Sequence, residues 1–400
     1  MKKNINIIWL HTHFLYWMGG TKFIHQVIKE LKKKNNIKNI TVIVENTSDF
    51  ANKQFKELSI ELISLNSKTS TSVIYWALLP FFLINNYFKI KSILKSKKLN
   101  KKNSIIISSM FPMNFIANLF ELKHVQNCYE PFAFFYDRNF ISQFPLLKKT
   151  FITILSFFYS PLDKWSTKKS TVLLTLNNTT KKMIKNIYDV DGIKTQAGVN
   201  SDLFKPYVSI KIKNKYKNQK IAIHSTDYSP VKGTDLVIKA FAVASKKIPN
   251  ARLLITTTID DSQRKSELIK LAKNLKVKNK IDFLGFLPIE ELPQYYSLAN
   301  VMIQGAYSES SGTTSMSLPI KEAMCCETPA IRPDIGGEDV IDGKSGFLVD
   351  PRKTLLLAEK MKILLKNDKL SKKMGKVGRE YIKNKYTWEN TAKIFEKSCY

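Results

Sequence analysis

Several stretches of this sequence place residue types where they could handle a phosphate-bearing ligand. Gly19 and Gly20 follow Trp17-Met18 and precede a helical pattern from Thr21. Paired glycines at a strand-to-helix turn let the backbone approach a ligand, and the helix start offers free N–H groups to an anion. A tight turn also needs glycine for its own sake. Further on, Ser229-Pro230-Val231-Lys232-Gly233-Thr234-Asp235 lies between an apolar run and a second helical pattern, so Lys232 could bring a compact positive charge to a phosphate. A polar loop, Ser308–Ser317, then feeds Leu318-Pro319-Ile320-Lys321-Glu322-Ala323. Pro319 suits a first helical turn, and the loop amides with the helix dipole suit a diphosphate. Glu322, about one turn in, could accept two hydrogen bonds from a vicinal diol; an ordinary first-turn glutamate would look the same.

These residues need a frame that gathers strand ends and helix starts. Apolar runs at Ile5–Leu10, Ile40–Val44, Ile60–Ser64, Ser104–Ser108, His124–Cys128 and Thr171–Leu176 predict strands in the first half. The second half repeats the rhythm at Lys220–Ser225, Arg252–Thr257, Ile281–Leu284, Val301–Gln304, Thr328–Arg332 and Gly346–Val349. Helical patterns follow most of them, among them Thr21–Lys34 and Asn178–Tyr188. Alternation at this spacing means parallel βαβ units with helices on both sheet faces. The fold class expected is α/β, with two doubly wound Rossmann-like domains facing a central cleft, the usual place for a ligand. The expected domains are 1–203, joined by a closing helix at 386–400, and 204–385. The seam falls in the Lys-rich stretch 201–219.

Composition bounds the function. Four hundred residues exceed one ordinary core, and 44% hydrophobic with 24% charged residues excludes global disorder and a polytopic membrane protein. Cys128, Cys325, Cys326 and Cys399 form no CxxC, which argues against a zinc site or disulfide framework and for a reduced compartment. The net charge of +31 divides into +18 over residues 1–200 and +13 over 201–400, carried mostly by Lys. An AT-rich coding bias and attraction to an anionic surface both account for it. The scarcity of Arg and the lack of RNP, helix-turn-helix or zinc-finger patterns leave nucleic acid off the list of partners. Met1-Lys2-Lys3 runs straight into the first strand without a targeting signal, so a cytoplasmic location is expected. Two apolar stretches, Val73–Phe88 and Phe151–Tyr159, are too short to span a membrane. They read either as core helices or as surface helices on an anionic membrane, the inner face of the plasma membrane being the place for peripheral attachment.

LPIKEAMCCETPAI at 318–331, followed by GGEDVIDGKSGFLVDP at 336–351, resembles the donor-binding segment of the retaining family-4 glycosyltransferases, which have the GT-B fold. Lys232-Gly233, Gly19-Gly20 and GVNSDLFKP at 198–206 match in order. The resemblance implies that Glu322 binds ribose hydroxyls, Lys232 the diphosphate, and Ser317 and Leu318 the phosphates and transferred sugar, with Gly233 and Thr314 in the same donor site. Gly19 and Gly20 match the first-domain loop that closes over them. Tyr129-Glu130-Pro131 stands where many relatives have His-Glu-Pro, making Tyr129, Glu130 and Lys232 the catalytic candidates. Thr314 replaces the first glutamate of the family's E-x7-E pair, with Glu309 nearby, and Asp227 replaces an arginine. His11 and His13, read as loop residues before Gly19, are candidate substitutes for the missing polar groups. The expected activity is retaining sugar transfer from a nucleotide-diphosphate donor to a glycan or lipid-linked acceptor. It needs no metal and no cofactor beyond the nucleotide-sugar substrate. An inactive scaffold, a sugar-nucleotide epimerase and a basic RNA-binding protein are the alternatives.

Overall fold

The computed structural model describes residues 4–69, 73–142, 144–259, 261–307 and 316–400; Thr314 and Glu309 lie outside these. The chain divides into two compact units. The first is Met1–Gln196 with Trp388–Tyr400, and the second runs from Ala197 to Thr387. The sequence expectation placed these divisions at 203/204 and 385/386.

Seven parallel strands form the first sheet: β1 (Ile5–Phe14), β2 (Ile37–Thr47), β3 (Glu61–Ser64), β4 (Ser104–Ser108), β5 (Lys123–Cys128), β6 (Val172–Thr175) and β7 (Ile193–Lys194). Their order is β3-β2-β1-β4-β5-β6-β7, so the chain reverses direction across the sheet between β1 and β4. β1 is buried on both faces, as a central parallel strand must be. The helix Gly19–Leu31 presents Phe23 to one of those faces, and the closing helix Trp388–Cys399 joins it there. Phe395 stacks on Trp9 with centroids 5.5 Å apart, and Trp388 meets Phe23 edge-on at 5.6 Å. Ile8, Leu10 and Ile106 line a second core with Tyr75, Leu79 and Leu83. Inside it lies a carboxyl group: Glu45 is fully buried, accepting hydrogen bonds from Tyr75 Oη at 2.5 Å and Asn86 Nδ2 at 3.3 Å. Burial pushes Glu45 up to about 8, against a smaller opposing effect of the Tyr75 bond. The acid is therefore mostly protonated at neutral pH.

The second sheet has β8 (Lys220–Thr226), β9 (Ala251–Thr257), β10 (Ile281–Gly285), β11 (Val301–Ile303), β12 (Ala330–Arg332) and β13 (Gly346–Leu348). All pair in parallel, in the order β10-β9-β8-β11-β12-β13. The reversal here falls between β8 and β11. Val237, Ile238 and Phe241 of the helix Thr234–Ala244 cover one face with Leu357 and Met361. Tyr296, Ile320, Met324 and Ile382 cover the other. The strands match the runs read from the sequence to within a few residues, apart from the ends of β1 and β2 and the short β7, which has no apolar run to announce it.

The helix Leu318–Cys325 is fastened by buried charge as well as by apolar packing. Asp339 accepts from Lys321 Nζ at 3.0 Å through one oxygen and from Arg332 Nη1 through the other, and all three side chains are buried. The two cations hold the Asp339 carboxyl below its ordinary range despite burial, which alone would raise it. Burial pulls Lys321 down, and Asp339 is what opposes it.

Two predictions follow from these buried groups. A carboxyl whose folded value lies near 8 stabilises fully below its unfolded value of 4.5 and loses that contribution as pH rises towards 8. Glu45→Gln should thus gain on the wild type by roughly 3 kcal/mol between pH 4.5 and 7, measured by urea unfolding across that range. Parallel pH profiles would refute the assignment. Asp339→Asn strands two buried cations beside a neutral amide and should cost about 3–5 kcal/mol in the unfolding transition of the second unit. A loss under about 1 kcal/mol, the range of exposed pairs, would show that the triad is dispensable.

Candidate functional site

In the second unit, the loops after β8 and β11 meet at the reversal of strand order, where open α/β sheets hold their ligands. The turn Pro230–Lys232 ends on Gly233 with φ +60°, a left-handed conformation that favours glycine. A Cβ on Gly233 would lie 2.0 Å from the Gly305 carbonyl oxygen, and one on Gly305 2.4 Å from that of Gly233. The two backbones touch, and neither position has room for a side chain.

A buried polar chain fixes this contact. His224 Nδ1 lies 2.9 Å from the Ile303 carbonyl oxygen, and Nε2 lies 3.0 Å from Thr234 Oγ1. A carbonyl only accepts, so Nδ1 carries the hydrogen. Burial pushes His224 down to about 4, so the ring is neutral at pH 7 and Nε2 must accept from Thr234. Thr234 in turn accepts from Thr226 at 2.8 Å, and Thr226 accepts from the Tyr228 backbone N–H at 2.9 Å. Each proton has one place. The chain ties β8, β11 and the start of the helix Thr234–Ala244 together directly beneath the glycine pair.

Lys232 projects from the same turn, its side chain 31% exposed, with Nζ 3.7 Å from Asp227 Oδ2. Asp227 Oδ1 accepts from both the backbone N–H and the hydroxyl of Ser229. The carboxylate that replaces an arginine therefore shapes the loop and partly neutralises Lys232. Ser317 does not cap the helix it precedes; its hydroxyl donates to Gln304 Oε1 at 3.0 Å. That bond brings the start of the helix Leu318–Cys325 beside the end of β11. Leu318 and Pro319 open the helix, and the amides of a first turn have no carbonyl partner within it. One turn on, the half-buried Glu322 accepts from Tyr296 Oη at 3.4 Å, and Tyr296 also shares a hydrogen bond with Ser225 of β8. Lys232, Gly233, Ser317, Leu318 and Glu322 thus gather at one end of one sheet.

The first-unit candidates form their own group. Tyr129, just past β5, donates to the Gly20 carbonyl at 3.5 Å and meets Phe23 edge-on at 5.3 Å. Burial pushes its phenol up, so it stays neutral. Glu130 is half-buried, and its carbonyl accepts from Cys128 Sγ. Gly19 and Gly20 open their helix with no side-chain cap, and a Cβ on Gly20 would meet nothing within 4 Å. No contact among the described residues requires glycine there. The histidine expectation needs correction: β1 runs on to Phe14, so His11 and His13 are strand residues and not loop residues. Burial, helped by the neighbouring His13, pushes His11 down to about 3, leaving it uncharged. Tyr129 and Glu130 belong to one unit and Lys232 to the other.

His224, Thr226, Thr234, Tyr296, Gln304 and Gly305 were not singled out by the sequence reading. The polar run His224-Ser225-Thr226 at the end of an apolar strand and the glycine directly after β11 were the signals present. Among the described residues, no group of three or more His, Cys, Asp or Glu could hold a metal ion.

The sequence model described as glycosyl transferases group 1 matches residues 208–381. The N-acetyl-alpha-D-glucosaminyl L-malate synthase of Bacillus anthracis is 27% identical over 186 residues, 46% of each chain. A GDP-mannose-dependent alpha-(1-6)-phosphatidylinositol monomannoside mannosyltransferase of Mycolicibacterium smegmatis is 25% identical over 199 residues, 48% of this chain and 51% of that protein. The chain spans about half the length of these curated relatives. The crystal structure of a glycosyltransferase from Rickettsia africae ESF-5 superposes with a TM-score of 0.76 at 19% identity, covering 99% of this chain and 98% of the other. Residues 208–381 are thus similar to the glycosyl transferases group 1, and the chain as a whole has the GT-B frame of two Rossmann-like units.

Proposed function

We propose that this chain is a hexosyl-type glycosyltransferase of the family-4 kind. It would move a sugar from a nucleoside-diphosphate donor to a glycan or lipid-linked acceptor with retention of configuration. The observation that carries the reading is the gathering of Lys232, the touching Gly233 and Gly305, and the start of the helix Leu318–Cys325 at the β8/β11 reversal. Backbone amides and a cation there suit a diphosphate. As the bond to the sugar breaks, negative charge grows on the leaving diphosphate. Lys232 and the helix amides would meet it without a metal ion or cofactor. Glu322 would take the ribose diol, its carboxylate held by the hydrogen bond from Tyr296. In the first unit, the open space at Gly20 leaves room for a ligand beside the helix start, and Tyr129, which reaches the Gly20 carbonyl, and its neighbour Glu130 are the candidates for contact with the sugar or acceptor. The two relatives above differ in what their names call the acceptor, an L-malate product in one and a phosphatidylinositol mannoside in the other, so the acceptor is not inherited from the family. A cytoplasmic location and an anionic membrane surface as partner go with a lipid-linked acceptor.

Donor binding tests the reading. UDP, GDP or ADP at 100 times its dissociation constant should stabilise the protein by roughly 2.7 kcal/mol in a thermal melt. Glu322→Ala should weaken the same nucleotide by about ten- to a hundredfold, the worth of hydrogen bonds to a charged acceptor. Stabilisation by none of these nucleotides or their sugar conjugates would overturn the proposal and favour an inactive scaffold. Asp227→Asn keeps the acceptor that Ser229 uses and removes a negative charge near the diphosphate. It should tighten nucleoside-diphosphate binding by roughly five- to tenfold at low salt, read by calorimetry. Weaker binding would show instead that the carboxylate positions Lys232.

A further inference from the structure

Two helices of the first unit expose large apolar side chains to solvent. The segment Val73–Ala77 leads into the helix Leu79–Ser96, whose inward face buries Leu79, Leu83, Ile90 and Leu94. The outward side of the whole stretch carries Ile74, Leu78, Phe81, Ile84 and Phe88, spaced by three or four residues and 51–64% exposed. The same pattern marks the helix Leu146–Lys169, where Leu147, Ile154, Phe157, Phe158 and Trp165 point outward, with Leu147 87% and Phe157 77% exposed. The two helices rest on one core. Tyr159 Oη donates to the Trp76 carbonyl at 3.3 Å, and Phe151, Leu155 and Tyr159 pack on the core that Leu79 and Leu83 help to build. Both helices therefore bury one side in the same core and leave an apolar stripe exposed on the other. Soluble proteins seldom leave so many large apolar groups together in water without a partner for them.

The charge on these helices says which partner. Residues 73–102 contain no Asp or Glu, and the apolar stripe gives way to Lys89, Lys91 and Lys95. In the second helix the sole acidic residue is Asp163, which is buried and held by Asn114, Tyr136 and Tyr188. The charge shown to the outside comes from Lys148, Lys149, Lys164, Lys168 and Lys169. Lys169 lies 4.7 Å from the Trp165 ring centroid, the pairing of aromatic and cation found at lipid–water boundaries. No helix of the described residues is long and apolar enough to cross a membrane. A two-fold dimer through this face would set lysines against lysines, because each copy offers the same patch.

We infer that the outward faces of the helices Leu79–Ser96 and Leu146–Lys169 dock on an anionic lipid bilayer. The aromatic and aliphatic stripes enter the interface, and the flanking lysines meet the headgroups. The inference deepens the proposal of a lipid-linked acceptor, and its test uses no nucleotide, so a failure of docking and a failure of donor binding are read separately. The full chain is sedimented with vesicles of phosphatidylcholine alone and with vesicles containing one third phosphatidylglycerol. Binding should be more than about tenfold stronger to the anionic vesicles and should fall as salt is raised. Phe81→Ser combined with Phe157→Ser removes two exposed rings, so it should leave the melting temperature unchanged and weaken anionic-vesicle binding by about tenfold or more. Lys148→Glu combined with Lys149→Glu should do the same through charge. Equal binding to both vesicle types, or indifference to both double variants, overturns the inference. So does a dimer in sedimentation equilibrium that dissociates on Phe81→Ser combined with Phe157→Ser.

Discussion

The backbone contact between Gly233 and Gly305 is the constraint on which the second unit's chemistry depends. Parallel strands β8 and β11 are neighbours, yet their connections leave in opposite directions, so the loops at their ends would ordinarily part. Here they are pressed together until carbonyl oxygens occupy the space of absent side chains. That closeness sets where Lys232 stands, where Gln304 receives Ser317, and hence where the helix bearing Glu322 begins. Nothing apolar could hold such a contact, because the parts touching are peptide groups. The neutral ring of His224 does so from below, with one donor and one acceptor aimed at two different elements. Protonated, the ring would aim two donors and drive Thr234 to reverse its hydrogen bond, which explains why a fully buried, uncharged histidine suits this place.

The helix Leu318–Cys325 is held by a different principle. It is a helix of 8 residues, short of the length at which helices are stable by themselves. Its apolar side lies against the sheet, and Lys321 carries a charge into the interior to reach Asp339 and Arg332. An apolar residue would have served packing as well. The salt bridge instead ties the helix to the segment after β12, where Asp339 sits. Glu322, next in sequence, is thereby turned away from the core and towards Tyr296.

How far all this was legible varies with the physical origin of each feature. The strands were readable because a parallel strand covered on both faces is written as a largely apolar run, as in Ile7–Leu10 and Leu253–Ile255. The ends of β1 were not. The run His11-Thr12-His13 looks like a loop, and its residence in the strand is set by pairing with Val44 and Asn46, far away in sequence. Lys232, Gly233, Ser317 and Glu322 could be found because loop-to-helix turns have local signatures. His224 and the Lys321–Asp339–Arg332 cluster could not, since each owes its role to partners brought close only by the fold. Thr314 lies outside the described residues, so the place of the missing glutamate has no structural account.

The lysine excess had two readings in the sequence, a coding bias or an anionic partner, and composition could not separate them. Placement separates them in part. A bias in coding would scatter lysine over every exposed surface alike, and many lysines here are scattered, several pairing with nearby acids such as Glu61, Asp368 and Glu389. Within the two apolar helical stretches of the first unit the acids are missing instead, and the one present, Asp163, is buried among hydroxyl and amide donors. Lysine enrichment accounts for an abundance of cations. It does not account for the withdrawal of anions from one apolar surface, nor for phenylalanine in outward helical positions where a soluble chain gains by placing polar groups. Both features have the same physical reason if that surface faces negative charge over an apolar interior.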